Sequence, residues 1–536
     1  MAEHVLLGDE AIAIGAIDAG ITCAYGYPGT PSSEILAYLI DYSKETGKIH
    51  AAWCSNEKTA YEDALGVSMA GKRALITTKH VGLNVAADPF VNSALLKING
   101  GLVVLVADDP SMHSSQDEQD SRFYADFAKV PCFEPVDQQE SYNMMDEAFE
   151  FSEKYNIPVM MRIVTRIAHS RAVVNTKETA RPQNALKKFD DRKEWTLIPL
   201  YARKLWDKLL VKYESITKVS EDSKYNPLYI NPNFKKYGVI TTGLGKNYYL
   251  ENVPELADKP SHLHIGFYPF PAEKIRKLAE HVEKIIVIEE GYPFIEEKLR
   301  GILKQSIVIE GKLDKKIPLT GELNPDNVRP VLGLPERKCF PPVEGLVPRP
   351  PQLCQGCSHV DSYAVINEVM SAYKESIVTS DIGCYALGAM PPYNAIETIV
   401  CMGASIGNAK GAAEAGLRPA VAVIGDSTFY HSGMTALIDA VGVNTPMTVV
   451  ILDNGVVGMT GGQETILPSS KLEGVVKGLG VDPAHVKTVN PIPQNQAENV
   501  KILKEEIDYN GLSVVIFLRE CIVDIKRRIK KEKLNK

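Results

Sequence analysis

The sequence predicts an α/β protein built from three doubly wound domains, and three observations carry that prediction. At 536 residues the chain is too long for one hydrophobic core, because domains usually contain about 100 to 200 residues. Short apolar or β-branched runs alternate with helical patterns along most of the chain, which favours parallel sheets covered by helices. A polar stretch and a proline-rich stretch interrupt this alternation twice.

The apolar runs fall into three groups. The predicted strands are 22–27, 74–78 and 101–107, then 237–241, 262–266 and 284–289, and finally 377–380, 420–424, 447–452 and 513–518. Between the first two groups the chain is polar and lysine-rich, with one amphipathic helical pattern near 201–213. The second group ends in the proline-rich stretch 341–351, which favours an extended linker. The predicted domains are therefore 1–180, 233–340 and 341–536, with 181–232 a linker that contains a helix.

Composition is that of a soluble globular protein, with 45% hydrophobic and 24% charged residues. A net charge of -8 argues against a nucleic-acid-binding surface, and the basic run 526–536 is interpreted as a solvated helix end. The N-terminus lacks a secretory signal pattern, and no window is long and apolar enough for a membrane span. We expect a cytoplasmic protein that binds neither nucleic acid nor membrane.

Two predicted strands end in polar residues that suit a metal ion. One ends in Gly425-Asp426-Ser427, and the next ends in Asp453-Asn454. Open parallel sheets bind ligands beyond the carboxyl ends of their strands, and Mg²⁺ prefers carboxylate and amide oxygens together with phosphate. Glycines at such strand ends and loops let backbone N–H groups approach phosphates closely. The candidate glycines are Gly403, Gly407, Gly425 and Gly455.

This pair of strand ends resembles the signature of thiamine-diphosphate enzymes. The resemblance implies that Mg²⁺ is held by Asp426, Asn454 and the backbone carbonyl of Val456, with Ser427 among the cofactor-binding residues. Two departures are visible, because Ser427 replaces a glycine and Asp453 replaces the first of two asparagines. Neither departure removes an implied metal ligand.

A second stretch, 53–64, resembles the motif of the pyrimidine-binding domain in the same enzymes. There a glutamate between a strand end and a helix bonds to the aminopyrimidine ring and makes the cofactor reactive. The resemblance assigns this role to Glu57. Alternatively, Glu57 is an acidic residue of a first helical turn that interacts with the helix dipole.

Three further stretches, 25–34, 78–84 and 107–116, resemble signature stretches of the large subunits of indolepyruvate:ferredoxin oxidoreductases. The resemblance covers nearly the whole chain and implies pyrimidine-type and diphosphate-type folds on either side of a transketolase C-terminal-like domain. It places Thr30 and Pro31 beside cofactor and substrate, and Lys79, His80 and Asn84 in the pocket. We treat Glu57, Thr30 and His80 as the catalytic candidates. His113 either contributes to the site or makes a structural hydrogen bond.

Nine cysteines in a reducing compartment are more often metal ligands or buried residues than disulfides. Cys354 and Cys357 form a Cys-x-x-Cys pair that by itself fits zinc, a redox dithiol or chance. Together with Cys384 and Cys521, the pair resembles the [4Fe-4S] site of pyruvate:ferredoxin oxidoreductases. Zinc and four reduced cysteines remain alternatives, since tetrahedral sulfur suits zinc and iron alike. The other cysteines are predicted to be core residues: Cys23, Cys54, Cys132, Cys339 and Cys401.

The resemblance implies oxidative decarboxylation of a 2-oxoacid, such as the aryl pyruvate indolepyruvate, to the acyl-coenzyme A. Electrons would pass through the cluster to ferredoxin or a ferredoxin-like subunit, since no cysteine follows Cys521. Expected partners are a small oxidoreductase subunit and a second large subunit. The alternatives are a non-oxidative thiamine-diphosphate decarboxylase or carboligase, and a catalytically silent electron-transfer subunit.

Overall fold

The computed structural model describes residues 2–304, 306–337, 341, 343–347 and 351–534. The chain forms two compact units, Met1–Pro341 and Pro342–Lys536, which divide at the start of the proline-rich stretch. In both units strands alternate with helices and pair mainly in parallel. The α/β class predicted from the sequence is therefore confirmed.

In the described part of the first unit, the larger sheet has seven strands. Its order is Phe267–Tyr268, Cys132–Phe133, Val159–Val164, Leu102–Asp108, Ala74–Lys79, Cys23–Gly26 and His50–Trp53. The first of these strands pairs antiparallel, and the other pairs are parallel. The central strands are buried along their whole length, which explains their continuous apolar runs. The longer helices around the sheet are Gly8–Asp18, Ser33–Thr46, Glu57–Met69 and Gln138–Tyr155.

The second sheet of this unit has five strands among the described residues. Its order is Val308–Glu310, Lys284–Ile288, Gly238–Thr242, Ser261–Ile265 and Leu228–Tyr229, of which the last pairs antiparallel. The predicted strands of this region agree with the observed ones to within about one residue at each end. The helices Ala272–His281 and Phe294–Ile302 follow its strands.

The stretch predicted as a linker folds onto the first unit. Its helix, Pro199–Asp222, is longer than the predicted pattern near 201–213. Leu209 and Ile216 of this helix belong to the same hydrophobic core as residues of both sheets. The helix is thus a packed element of the unit, and the division of the unit into 1–180 and 233–340 stays a prediction.

The described residues of the second unit form a six-stranded sheet in which the strand pairs are parallel. Its order is Thr398–Ile399, Ile377–Ser380, Ala420–Gly425, Met447–Asp453, Leu512–Leu518 and Val486–Val489. The predicted strands of the third group match these bounds to within about one residue. The helices that cover the sheet are Ser358–Met370, Ala404–Glu414, Met434–Val443, Ser469–Gly478 and Gln496–Ile507.

The basic run near the C-terminus forms most of the helix Ile522–Leu534. Its lysine and arginine side chains from Lys526 to Lys533 are exposed, in agreement with a solvated helix. Across the described residues, this helix and every other one is too short or too polar to cross a bilayer.

The cysteines predicted to be core residues differ in burial. Cys54 and Cys132 are buried, and Cys23 is half-buried. The prediction was wrong for Cys401, which is exposed because it lies in the loop between the strand Thr398–Ile399 and the helix Ala404–Glu414. Cys339 lies outside the described residues.

Candidate active site

Two carboxylates meet at one edge of the sheet in the second unit. The strands Ala420–Gly425 and Met447–Asp453 are parallel neighbours in a register that pairs Gly425 with Leu452. Asp426, directly after the first strand, and Asp453, at the end of the second, therefore lie side by side. Both are almost fully buried, with 5% and 2% of their surfaces exposed. We call Asp426 and Asp453 the acidic corner.

Backbone groups hold the acidic corner in place. The N–H groups of Ser427 and Gly455 donate to Asp426, at 2.8 Å and 2.9 Å. Burial, and then the neighbouring carboxylate of Asp453, raise the pKa of Asp426 well above its usual range. Asp453 accepts from the Ser469 hydroxyl at 2.7 Å, while its Oδ2 is buried without a hydrogen-bond partner among the described residues. Two adjacent buried carboxylates with a free oxygen are suited to a divalent cation.

The amide of Asn454 lies next to the acidic corner. Its Oδ1 accepts from the backbone N–H of Val456 at 3.0 Å, which leaves a second lone pair for a metal ion. Gly455, between them, has a φ of +76°, a left-handed conformation that favours glycine. The Asp426 carboxylate thus lies beside the loop that carries Asn454, since the N–H group of Gly455 donates to it.

Sequence reasoning missed His359, which contacts the side chain of Asn454. The His359 Nε2 and the Asn454 Nδ2 are 3.3 Å apart, although the residues are 95 positions apart in the chain. Burial lowers the pKa of His359 to about 4, so the neutral ring accepts this hydrogen bond from the amide. The ring of Tyr385 meets His359 edge-on at a centroid distance of 6.1 Å. The available signal was its position two residues after the Cys-x-x-Cys pair.

The predicted phosphate-binding glycines have different surroundings. Gly403 has a φ of +87° and precedes the helix Ala404–Glu414, and a Cβ on Gly425 would lie 2.5 Å from the Tyr385 ring. A Cβ on Gly407 would meet no described atom within 4 Å, so packing does not require glycine there. The start of this helix also faces a protein carboxylate, because the Ser405 N–H donates to Asp381 at 3.2 Å.

Four cysteines line one cavity of about 290 Å³ in the second unit. They are Cys354, Cys357, Cys384 and Cys521, and His359 and Asn454 also line the cavity. Burial, and then the other three thiols, raise the pKa of Cys384 to about 12. The Cys384 thiol therefore ionises when a cation, rather than water, stabilises its thiolate.

The four sulfur atoms are too far apart for a single small ion. Among the described residues, no three of them lie within 4.8 Å of one another. A tetrahedral zinc site holds its sulfur atoms about 3.8 Å apart, because each Zn–S bond is about 2.3 Å. A four-iron cluster holds its thiolates further apart, since each binds a different iron. Among the described residues the four thiols thus do not form a compact site for a single ion, and what they bind stays a prediction.

In the first unit, Glu57 is the first residue of the helix Glu57–Met69 and is 5% exposed. The helix is capped by Asn56, whose side chain accepts from the Thr59 N–H at 2.9 Å. A Cβ on Gly82 would overlap the Glu57 carboxylate, so this backbone approaches the carboxylate in a way that only glycine allows. Glu57 is thus enclosed as well as placed in the first turn of a helix, and its role stays a prediction.

The loop that contains Thr30 and Pro31 lies beside Lys79. The Thr30 carbonyl accepts from the Ser114 hydroxyl at 3.1 Å, and the Ser114 carbonyl accepts from the Lys79 ammonium at 2.9 Å. The Thr30–Pro31 peptide is cis. Burial lowers the pKa of Lys79 to about 8, while Asp109, Asp117 and Glu57 oppose this shift.

His80 is nearly fully buried, and its ring lies against the stretch 114–117, which Lys79 also contacts. Its Nε2 lies 3.2 Å from the Asp117 carbonyl, and its Nδ1 is buried without a hydrogen-bond partner among the described residues. Asn84 is exposed and accepts from the Tyr124 hydroxyl at 2.7 Å. The His113 side chain is 51% exposed and lies 3.6 Å from Glu322. Thr30, Lys79 and His80 are thus brought together, whereas Asn84 and His113 lie at the surface.

Two family models match the chain. "Pyruvate flavodoxin/ferredoxin oxidoreductase, thiamine diP-bdg" matches residues 14–203, a range that contains Thr30, Glu57 and His80. "Thiamine pyrophosphate enzyme, C-terminal TPP binding domain" matches residues 381–517, a range that contains Asp426 and Asn454. The two matches show that the chain contains thiamine-diphosphate-binding domains.

Several curated relatives resemble nearly the whole chain. Indolepyruvate oxidoreductase subunit IorA of Archaeoglobus fulgidus is 37% identical, over 98% of this chain and 88% of the relative. The subunit of that name from Methanothermobacter thermautotrophicus is 36% identical, over 97% and 87%.

Among solved structures, a 2-oxoglutarate:ferredoxin oxidoreductase from Magnetococcus marinus, with 2-oxoglutarate, coenzyme A and succinyl-CoA bound, shares the fold. Its TM-score is 0.51 at 15% identity, over 62% of this chain and 65% of that chain. At that identity the likeness supports the fold alone. The identity to the IorA subunits exceeds one third over nearly the whole chain, and both domain matches agree with it. This sequence evidence is more specific to one family than the likeness in fold. The chain therefore belongs to the family of indolepyruvate oxidoreductase IorA subunits, among the thiamine-diphosphate-dependent 2-oxoacid:ferredoxin oxidoreductases.

Proposed function

We propose that this chain is the thiamine-diphosphate-binding subunit of an enzyme that oxidatively decarboxylates a 2-oxoacid and passes the electrons to ferredoxin. The name of the indolepyruvate oxidoreductase relatives favours an aryl pyruvate such as indolepyruvate as substrate, and the acyl-coenzyme A is the product that we propose. The proposal rests on one observation. A single cavity is lined by four cysteines together with a histidine and an asparagine: Cys354, Cys357, Cys384, Cys521, His359 and Asn454. An oxidative enzyme needs its electron acceptor close to the reacting cofactor.

The acidic corner and its neighbours have the donor set that Mg²⁺ and a diphosphate require. Asp426, Asn454 and the Val456 carbonyl would hold the ion, and Ser427 and the glycines Gly403, Gly407 and Gly425 would approach the phosphates. The orphaned Oδ2 of Asp453 supports a cation at this place. When bound, thiamine diphosphate supplies the nucleophilic thiazolium carbon that attacks the keto group and lets carbon dioxide leave.

Residues of the first unit would orient the reacting groups. Glu57 would share a proton with the aminopyrimidine ring, and its enclosure beside Gly82 keeps the carboxylate in one position. Burial disfavours the charge of Lys79 and lowers its pKa to about 8, so a substrate carboxylate beside it would stabilise the ammonium form. His80 would present its unpartnered Nδ1, and Thr30 and Pro31 would form the wall beside cofactor and substrate.

The four cysteines would hold a [4Fe-4S] cluster, which supplies a one-electron acceptor. We further propose a complex with a small oxidoreductase subunit, a second large subunit and ferredoxin. Within the first unit, residues 1–180 would form the pyrimidine-binding domain and 233–340 the transketolase C-terminal-like domain.

Metal analysis tests the cluster. The full chain is purified without oxygen, and iron, sulfide and zinc are measured with low-temperature EPR spectra before and after dithionite. We expect about four irons per chain and a reducible signal, and loss of both in Cys384→Ser. Cys401→Ser is the matched control, because Cys401 is exposed and does not line the cavity.

Two outcomes would overturn the oxidative function. No iron, or one zinc per chain, would leave the chain without its electron acceptor and would favour the non-oxidative decarboxylase or carboligase. Equal iron loss in Cys384→Ser and Cys401→Ser would assign the iron to another site.

A further inference from the structure

A second group of metal-ligand side chains lies in the first unit, among residues that the proposed function does not use. Asp9 is the second residue of the helix Gly8–Asp18, Glu34 is the second residue of Ser33–Thr46, and His169 ends Thr165–His169. One ligand atom from each lies within 4.8 Å of the other two. The His169 Nε2 and the Glu34 Oε2 are 3.7 Å apart. We call these three residues the helix-end cluster.

Within the helix-end cluster, Asp9 is the residue whose buried carboxylate would be stabilised most by a bound cation. Its side chain is 0% exposed, and among the described residues no N–H or hydroxyl group donates to either carboxylate oxygen; the polar group beside it is the Glu34 carboxylate, with which Asp9 can share only a proton. Burial, and then Glu34 and Glu10, raise the pKa of Asp9 well above its usual range. An enclosed carboxylate without donors is costly unless a proton or a cation neutralises it.

The other two members give access from solvent. The side chains of Glu34 and His169 are 45% and 36% exposed, so an ion can reach the buried carboxylate past them. Glu34 raises the pKa of His169, and His169 lowers the pKa of Glu34, because the two form an ion pair. Nearby, Glu10 lies 3.7 Å from Arg171 and accepts from the Leu7 N–H. The local field is thus that of three carboxylates facing one imidazole and one guanidinium.

We propose that the helix-end cluster binds one divalent first-row transition-metal cation, of the Mn²⁺ or Zn²⁺ class. Asp9 and Glu34 supply carboxylate oxygens and His169 supplies an imidazole nitrogen, a mixed set that such ions accept with water in the remaining positions. Binding displaces the proton of His169, since only the neutral ring is a ligand. The site is distinct from the cysteine cavity, because it contains no thiolate.

The ion would have a structural consequence for the loop that precedes Glu34. The helix Ser33–Thr46 begins directly after the stretch with Thr30 and Pro31, and the Gly29 N–H donates to the Ser33 hydroxyl at 2.8 Å. A cation shared by three helix ends fixes the start of this helix relative to its neighbours. The proposed ion thus stabilises the position of the loop that contains Thr30 and Pro31.

Manganese binding tests the site. The full chain, without added thiamine diphosphate and with excess Mg²⁺ to occupy the acidic corner, is titrated with Mn²⁺, and free Mn²⁺ is counted by EPR. Mn²⁺ is the probe because it prefers carboxylate oxygen to the thiolates of the cavity. We expect Asp9→Asn and His169→Gln to bind one Mn²⁺ fewer than the wild type. Asp41→Asn, which removes an exposed carboxylate of the same helix as Glu34, serves as the control and is expected to bind as the wild type does.

Thermal unfolding separates the cation from the competing explanation, a proton shared by Asp9 and Glu34. If the helix-end cluster binds a cation, Mn²⁺ raises the Tm of the wild type and of Asp41→Asn but not that of Asp9→Asn. With a shared proton, Mn²⁺ leaves all three Tm values unchanged and the four proteins bind equal amounts of Mn²⁺. That result would overturn the proposal. His169→Gln alters a partly exposed side chain and keeps the test valid if Asp9→Asn does not fold.

Discussion

Buried carboxylates occur in both units, but their charges are neutralised in different ways. In the first unit, Arg122 and Arg162 are fully buried and each forms ion pairs with several carboxylates. The Arg162 Nε lies 2.6 Å from Asp108, and the same guanidinium pairs with Glu134, while Arg122 pairs with Asp120. Each of these carboxylates is paired with a buried arginine, although one oxygen of Asp108 accepts no hydrogen bond among the described residues.

The acidic corner of the second unit is held differently. Asp426 receives hydrogen bonds from two backbone N–H groups, and its nearest charged neighbour is another carboxylate, Asp453. One oxygen of Asp453 has no partner among the described residues. Buried charge that is paired indicates a structural network, whereas buried charge that is not neutralised indicates a place for a cation. The comparison therefore separates packing from binding.

The largest expected effect is on the paired network. Arg162→Leu leaves Asp108 and Glu134 buried without their partner, which should cost about 3–5 kcal/mol of unfolding free energy. The three tryptophans, Trp53, Trp195 and Trp206, lie in the first unit, so urea unfolding followed by tryptophan fluorescence reports this unit.

Arg276→Leu is the control for this variant, because Arg276 pairs with Glu273 at the surface. It should cost less than about 1 kcal/mol. Equal losses in Arg162→Leu and Arg276→Leu would contradict the structural role of the buried network.

Glu57 extends the comparison to a buried carboxylate of the first unit that belongs to the proposed site. Gly82→Ala places a methyl group against the Glu57 carboxylate, and should cost about 1–3 kcal/mol and lower 2-oxoacid-dependent dye reduction at least about tenfold. Gly66→Ala, in the same helix as Glu57, adds a methyl group in open space and should leave activity unchanged. Full activity in Gly82→Ala would remove the requirement for a fixed Glu57.

A smaller effect is expected at Glu290, where pairing is incomplete. Burial raises the pKa of Glu290 from 4.5 to about 7, while the Leu323 N–H and Lys312 oppose the shift. The folded state therefore holds a proton that the unfolded state releases above pH 4.5, and the stability falls as pH rises from 4.5 to about 7. Glu290→Gln should remove most of the decline that this carboxyl group causes, measured by urea unfolding at several pH values. An unchanged slope would show that Glu290 is ionised throughout this range.

Local patterns made most of the fold predictable. Parallel strands that are buried on both faces read as continuous apolar runs, so the strands Ile377–Ser380 and Ala420–Gly425 were recognised to within one residue. The meeting of Asp426 with Asn454 followed from the rule that neighbouring parallel strands end at the same edge. The role proposed for the cysteines rests on family resemblance, because spacing alone leaves zinc and iron open.

The parts that were missed depend on contacts between distant residues. The bond between His359 and Asn454 spans 95 positions, and that between Arg122 and Glu290 spans 168. Composition and periodicity describe only neighbours along the chain, so they do not reveal such pairs. Cys401 illustrates the opposite error, because a preference of cysteine for the interior does not decide the burial of a loop residue.

Titration with thiamine diphosphate tests the central claim, that the un-neutralised acidic corner is the cation site. Calorimetry with Mg²⁺ present compares the wild type with Asp426→Asn and with Asp439→Asn, a control that removes an exposed carboxylate of the same unit. Asp426→Asn should bind at least about 100-fold more weakly, with the thermal stability of the unliganded chain unchanged or raised, while Asp439→Asn binds as the wild type does. Equal affinity in all three proteins, or loss of stability in Asp426→Asn, would contradict the account.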